Sequence, residues 1–380
     1  MKTLLSFSDP ETIVFRNEVR EWLAASLPID WRTQELQLSE DEMMEIRRDW
    51  DRTLFVAGYA GLSWPERFGG RELGPVAETV FSEELALAHA PEPLGRIGRM
   101  GAGPMVMRFG SEDQQARYLS KILDGSEIWC LGYSEPANGS DLGATSTLAL
   151  REEDGDVYRV TGRKIWTSYA HYADRCMLLA KTSKDGPRGH NLSMMVLDMH
   201  QPGIDISPII TAAGDHHFNE VSFDGALVPV SDRLGPEHEG LRVFKESLAF
   251  ERGIGTALNY YIEMCREIDV LTSCCARSYD DSSAMTRAMS LRDQTELIRW
   301  HIMQTVELEM STRSSESALL ILKLWWSEFW QEITEFGLFL GCRSHVNFWR
   351  YQYLQSRPAT IYAGTSEIQR NTIARYVLSS

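Results

Sequence analysis

Three short segments carry residue types suited to holding a flat, phosphate-bearing cofactor. Tyr133-Ser134-Glu135-Pro136-Ala137-Asn138-Gly139-Ser140-Asp141 reads as a strand end running into a Pro/Asn/Gly turn. Such a turn presents backbone N–H groups and short hydroxyls, and nothing bulky keeps a planar ring away. Trp166-Thr167-Ser168 sets an indole beside two hydroxyls at another strand end, where the ring can stack and a hydroxyl can bond a heterocycle edge. Gly364-Thr365-Ser366-Glu367 opens a helix whose N-terminus attracts phosphate or ribose oxygens. Each segment also has a plainer reading: an Asx-turn loop, a tryptophan capping a core, and a helix cap with Glu367 in its first turn.

The motifs of several other chemistries are missing. It has no Walker loop, HExxH, nucleophile elbow or strand-borne GxGxxG. His216 and His217 follow Asp215 and precede a strand, but the sequence brings them no third ligand, so no metal is expected. The six cysteines form no CxxC pair and read as reduced, mostly buried thiols. A net charge of −16 disfavours nucleic acid and anionic membrane as partners. Asp9 interrupts the N-terminus before any signal-peptide apolar core, and no run of about eighteen apolar residues exists, so a cytoplasmic protein without a membrane span is expected.

The elements that must position these segments change period twice. At 380 residues, two or three packed units are expected. Residues 1–125 are helix-like: Phe15, Val19, Trp22 and Leu23 recur at helical spacing, as do Met44, Ile46, Trp50, Leu54 and Phe55. Ser111 with Gln114 reads as a capping box, and Glu40-Asp41-Glu42 behind Ser39 as a solvated first helical turn. Residues 126–235 shift to strands, notably Val157–Thr161, Met194–Leu197 and Glu220–Phe223, punctuated by glycines. From residue 236 onward the helical period returns, with Ile298, Ile302, Val306 and Leu308, then Leu319, Leu322, Leu324 and Trp325. Trp325, Trp326 and Trp330 read as packing of a helical core or subunit interface. This is an α+β chain in the order helical, mainly β, helical.

Taken together, the three segments and Ala359-Thr360-Ile361-Tyr362-Ala363-Gly364-Thr365 resemble the acyl-CoA dehydrogenase family over essentially the whole chain. The resemblance implies an N-terminal helical domain (1–125), a middle β-barrel (126–235) and a C-terminal helical bundle (236–380). It implies noncovalent FAD and α,β-dehydrogenation of an acyl thioester in lipid metabolism. Tyr133, Ser134, Ser140, Trp166, Ser168, Thr365 and Glu367 would hold the cofactor, and Ser140, Tyr362 and Gly364 would line the substrate site. Many relatives carry the proton-abstracting glutamate where this chain has Ala363, which retains only its backbone N–H as a donor to the thioester oxygen. Isovaleryl- and long-chain acyl-CoA dehydrogenases are similar here and take the glutamate from a Glu-Arg pair, which maps onto Glu251 and Arg252.

Two family features depart. The Arg-x-x-Phe-Gly segment that reaches a neighbouring subunit's FAD is replaced near Ser283–Met289, and the Gly-Gly-x-Gly segment is reduced to Phe339-Leu340-Gly341-Cys342-Arg343. These departures resemble a bacterial branch that includes dehydrogenases of steroid side chains, several of them two-gene complexes. The substrate implied is an acyl-CoA with a bulky or branched acyl group, or an acyl-carrier-protein thioester. An electron-transfer flavoprotein is the implied acceptor, in a homo- or hetero-oligomer packed through the C-terminal helices. Rival readings are a non-catalytic subunit of such a complex, and a flavin oxidase or monooxygenase.

Overall fold

The computed structural model describes residues 9–27, 31, 38–153, 155–251, 254–277, 282–311, 314–341 and 343–379. They fall into two compact units. One comprises Met1–Leu36, Leu73–Ala90 and Arg252–Ser380; the other comprises Gln37–Glu72 and Pro91–Glu251. The helical zone expected at residues 1–125 is therefore shared between them.

The first unit is helical. Helix α1 (Pro10–Ser26) starts at Asp9, whose side chain accepts from the Thr12 N–H. It packs on α3 (Pro75–Ala88), where Arg16 and Arg20 meet Glu83 and Glu84. Helices α7 (Ile254–Arg277), α8 (Ser282–Met310) and α9 (Glu316–Leu340) pack on one another. The expected apolar faces make this core: Leu258, Ile262, Ile298, Ile302, Val306, Leu322, Trp326, Trp330 and Ile333 are buried together. Helix α10 (Val346–Ser356) lies close on α9 because Gly337 has no side chain; a Cβ there would come within 2.2 Å of the Trp349 ring. Helix α11 (Ser366–Ser379) also packs on α9.

The second unit combines helices and a sheet. Helix α2 (Glu40–Val56) has a full capping box, Ser39 with Glu42, and buries Met44, Trp50 and Leu54, whereas Phe55 is exposed. Helices α4 (Gly103–Phe109) and α5 (Glu112–Asp124) follow, and α5 opens with the expected Ser111–Gln114 box. The strands are β1 (Trp129–Gly132), β2 (Leu148–Arg151), β3 (Val157–Ser168), β4 (Arg175–Lys181), β5 (Leu192–Asp198), β6 (Ile204–Ile209), β7 (Phe218–Pro229) and β8 (Arg233–Leu234). Their hydrogen-bonded path runs β6-β7-β3-β2-β4-β5-β8, with β1 branching from β4. Strand β4 is buried on both sides, and alternation sends Met177 and Leu179 to one core and Cys176, Leu178 and Ala180 to the other. Helix α6 (Gly240–Glu251) packs on β5. No helix among the described residues is long and apolar enough to cross a membrane.

Candidate functional site

In the second unit the Tyr133–Asp141 turn is fixed by a buried ion pair. Lys164 on β3 is fully buried; its Nζ donates to the Tyr133 carbonyl and to Glu135 Oε1, each at 3.0 Å. Glu135 also accepts from the Ser146 N–H at 2.7 Å and the Thr147 N–H at 2.9 Å. Burial alone would raise the Glu135 carboxyl, but the Lys164 ammonium and these donors outweigh it and hold the carboxyl at about 2. The Glu135–Lys164 pair was not singled out from sequence, although Glu135 lies inside the Tyr133–Asp141 segment and Lys164 two residues before Trp166. The Tyr133 ring packs edge-on against Phe244 at 5.0 Å, so the residue anchors the turn through its carbonyl. Ser134 is half-buried and Ser140 exposed.

Strand β3 breaks register against β7 between Lys164 and Thr167. The bulge leaves Trp166 at φ 61°, a strained value for a large side chain, with its indole 55% exposed and Phe218 edge-on at 5.8 Å. Ser168 follows, half-buried. Among the described residues the hydroxyls of Ser134 and Ser168 have no hydrogen-bond partner, and Thr167 Oγ1 is buried without one.

Behind this strand end lies a group that the sequence did not bring together. His216 Nδ1 lies 3.8 Å and His171 Nε2 3.4 Å from Glu40 Oε1, and the two imidazoles stack at 4.2 Å. The third ligand missing from the sequence argument is thus present, but tautomers count against a metal. Asn219 Nδ2 donates to the Thr167 carbonyl at 3.3 Å and to His171 Nδ1 at 2.9 Å, so His171 keeps its proton on Nε2, toward Glu40. Asn219 Oδ1 bonds His216 Nε2 at 3.0 Å, leaving one imidazole lone pair, at His216 Nδ1, beside the carboxylate. Burial, then the neighbouring His216, lowers the His171 pKa. Two ligands make a poor metal site. Titrated Zn²⁺ is therefore expected to bind equally to wild type and His216→Ala by calorimetry; weaker binding by the variant would establish a metal site.

In the first unit the turn before α11 brings Tyr362, Ala363, Gly364, Thr365 and Glu367 together. Ala363 sits at φ 52° and Gly364 at φ 94°. Among the described residues the N–H groups of Ala363, Gly364 and Thr365 have no partner, and Ser366 Oγ is buried without one. Thr365 Oγ1 caps α11 by accepting from the Ile368 N–H at 3.2 Å, as the plainer reading expected. The Tyr362 hydroxyl meets that of Tyr260 at 2.7 Å, and the Tyr260 ring stacks on Trp326 at 3.9 Å. Lys323, only 4% exposed, reaches the same turn. Its signal in sequence was a lone lysine among the core positions of α9. Glu251 is the last residue of α6. Its side chain and the whole of Arg252 lie outside the described residues.

Models of the acyl-CoA dehydrogenase N-terminal, middle and C-terminal domains match residues 9–126, 130–226 and 238–378. The chain is 36% identical to acyl-CoA dehydrogenase IpdE1 of Mycolicibacterium smegmatis over 384 residues, covering 96% of each. Its fold is similar to that of the Tcur3481-Tcur3483 steroid ACAD, with a TM-score of 0.84 and 22% identity over 100% of this chain and 99% of that one. It is also similar to that of PigA in its FAD complex, with a TM-score of 0.81 and 21% identity over 98% and 99%. From its helical, sheet and helical parts to these full-length matches, the chain belongs to the acyl-CoA dehydrogenase family, oxidoreductases that act on CH–CH bonds.

Proposed function

We propose that this protein dehydrogenates the α,β bond of an acyl-CoA with FAD as cofactor, and that Glu251 is the base. The observation that carries the reading is the turn at Ala363: it lacks the common carboxylate yet keeps a run of unpartnered N–H groups. The residues present fit a flavin dinucleotide. An exposed indole at Trp166 and free hydroxyls at Ser134 and Ser168 suit a ring and its edge. The helix start at Thr365–Glu367, with the orphaned Ser366 Oγ, suits the dinucleotide's oxygens. Bound FAD supplies the two-electron acceptor for the β-hydride.

The chain's own residues do the rest. The Glu251 carboxylate takes the α-proton, and Arg252 beside it in sequence orders the site. The Ala363 N–H donates to the thioester oxygen, on which negative charge grows as the proton leaves. Gly364 permits close approach of the backbone, and Ser140 bonds the thioester arm or the cofactor. Tyr362, braced by Tyr260 and Trp326, gives the substrate side a rigid aromatic surface that suits a bulky or branched acyl group. An electron-transfer flavoprotein would be the partner that reoxidises the cofactor. Leu297 and Trp300 on α8, and Val377 and Leu378 on α11, are exposed apolar side chains that suit an oligomer contact.

A second reading, one FAD shared between two chains of a heteromer, is favoured by the missing Phe-Gly near Ser283–Met289. The absorption spectrum of the purified protein tests both. Heat-released FAD near one per chain is expected, and a ratio near one per two chains would favour the shared site. A protein without flavin, alone and with any homologous partner chain, would remove the dehydrogenase reading.

A further inference from the structure

Lys323 is an anomaly of α9. Its neighbours on the same buried face are Leu319, Leu322, Trp326 and Trp330, yet its side chain ends in an ammonium. A buried cation is tolerated only where hydrogen bonds replace water. Lys323 Nζ donates to the Ala359 carbonyl at 3.0 Å and the Gly364 carbonyl at 2.8 Å, and lies 5.9 Å from the centre of the Tyr362 ring. The two carbonyls bracket the residues from Thr360 to Ala363. Gln369, fully buried on α11, donates from Nε2 to the Ala363 carbonyl at 3.0 Å and more distantly to that of Gly364 at 3.4 Å.

These bonds act on the carbonyl side of the turn. With the Ala363 and Gly364 carbonyls drawn to Lys323 and Gln369, and both residues at positive φ, the turn's N–H groups are left as an unpartnered donor set. An alanine at φ 52° is strained and persists only where its surroundings over-determine it. Lys323 and Gln369 are that restraint.

We propose that Lys323, assisted by Gln369, is a positioning residue for the dehydrogenation: it holds the Ala363 turn so that its N–H groups form a fixed receptor for the thioester oxygen as negative charge develops there. Preorganisation of this kind favours the charged state over the ground state, because the donors need not reorient during reaction. The proposal rests on the acyl-thioester reading above and adds to it the part of the chain that shapes the oxygen site.

The test uses the full-length holoenzyme and a 3-oxoacyl-CoA, whose enolate mimics the charged species and has its own near-ultraviolet band. Wild type, Lys323→Met and Gln369→Met are titrated with this ligand across pH, and with CoA itself as the control that lacks the thioester oxygen. Lys323→Met is expected to weaken enolate binding about 10–100-fold, by analogy with loss of oxyanion donors, and to move the pH midpoint for enolate formation upward. CoA affinity is expected to stay within about threefold, and the rate of flavin reduction to fall with little change in KM. Gln369→Met is expected to shift enolate binding in the same direction by about 3–10-fold, and it decides the matter if Lys323→Met does not fold. Enolate binding unchanged in a folded Lys323→Met overturns the proposal, as does unchanged binding in Gln369→Met when the lysine variant is lost. A wild type that binds CoA but no enolate removes the acyl-thioester reading, and the proposal with it. Wild-type enolate binding with unaltered variants removes the proposal alone.

Discussion

Glu251→Gln is expected to retain FAD and fold while flavin reduction by a good acyl-CoA substrate slows about 10²–10⁴-fold, the usual weight of a general base. Glutamine keeps the shape and hydrogen bonding of the side chain and removes only its basicity. The residue ends α6 in the second unit, whereas the family's more common carboxylate position, Ala363, belongs to the first unit. Ala363→Glu in the Glu251→Gln background tests whether both positions serve one α-carbon; partial recovery of rate is the expected result. Stopped-flow bleaching of the flavin reads both variants. Unchanged reduction in Glu251→Gln would move the base elsewhere or remove desaturation as the reaction.

The second large effect concerns stability. Glu267 on α7 is 1% exposed in the helical core, with Oε1 accepting from the Trp330 indole N–H at 3.0 Å and Oε2 buried without a partner. Burial pushes its carboxyl up to about 8; the Trp330 bond opposes this, and Glu263 adds to it. The sign follows from proton counts. Between about pH 4.5 and pH 8 the folded chain keeps a proton that the unfolded chain has lost, so this residue makes stability fall as pH rises through that window. Below it both states are protonated, and above it both are ionised with the full penalty present. Glu267→Gln keeps the acceptor for Trp330 and cannot ionise. Relative to wild type it is expected to gain about 3–5 kcal/mol at pH 9 over its effect at pH 5, the shift converted at about 1.4 kcal/mol per unit. Denaturant midpoints at both pH values, at fixed protein and FAD concentration, give the difference. Parallel pH dependence in the two proteins would show that Glu267 is ionised in the fold at neutral pH.

Much of the architecture was legible because it is local. The periodic faces of α2 and α9, the Ser111–Gln114 box and the strand at Val157–Thr161 each depend on residues within a turn or two of one another. The order of the motif segments carried the family for the same reason: each is a short run whose side-chain types suffice to mark it. Phe55 keeps the helical spacing yet is exposed, because the period fixes a face without saying how far the neighbouring elements cover it. What the sequence could not supply is every contact that closes over distance. Lys164 meets Glu135 across 29 residues because the turn that follows β1 is hydrogen-bonded to β3 in the second unit. His216 gains His171 and Glu40 only when β3 and β7 register Thr167 against Asn219 and α2 lies alongside. Lys323 finds an acceptor only because the chain returns 41 residues later to present the Gly364 carbonyl. Sequence periodicity encodes which side of an element is apolar. Which buried charge meets which acceptor depends on register and packing between segments, and only the assembled fold specifies those.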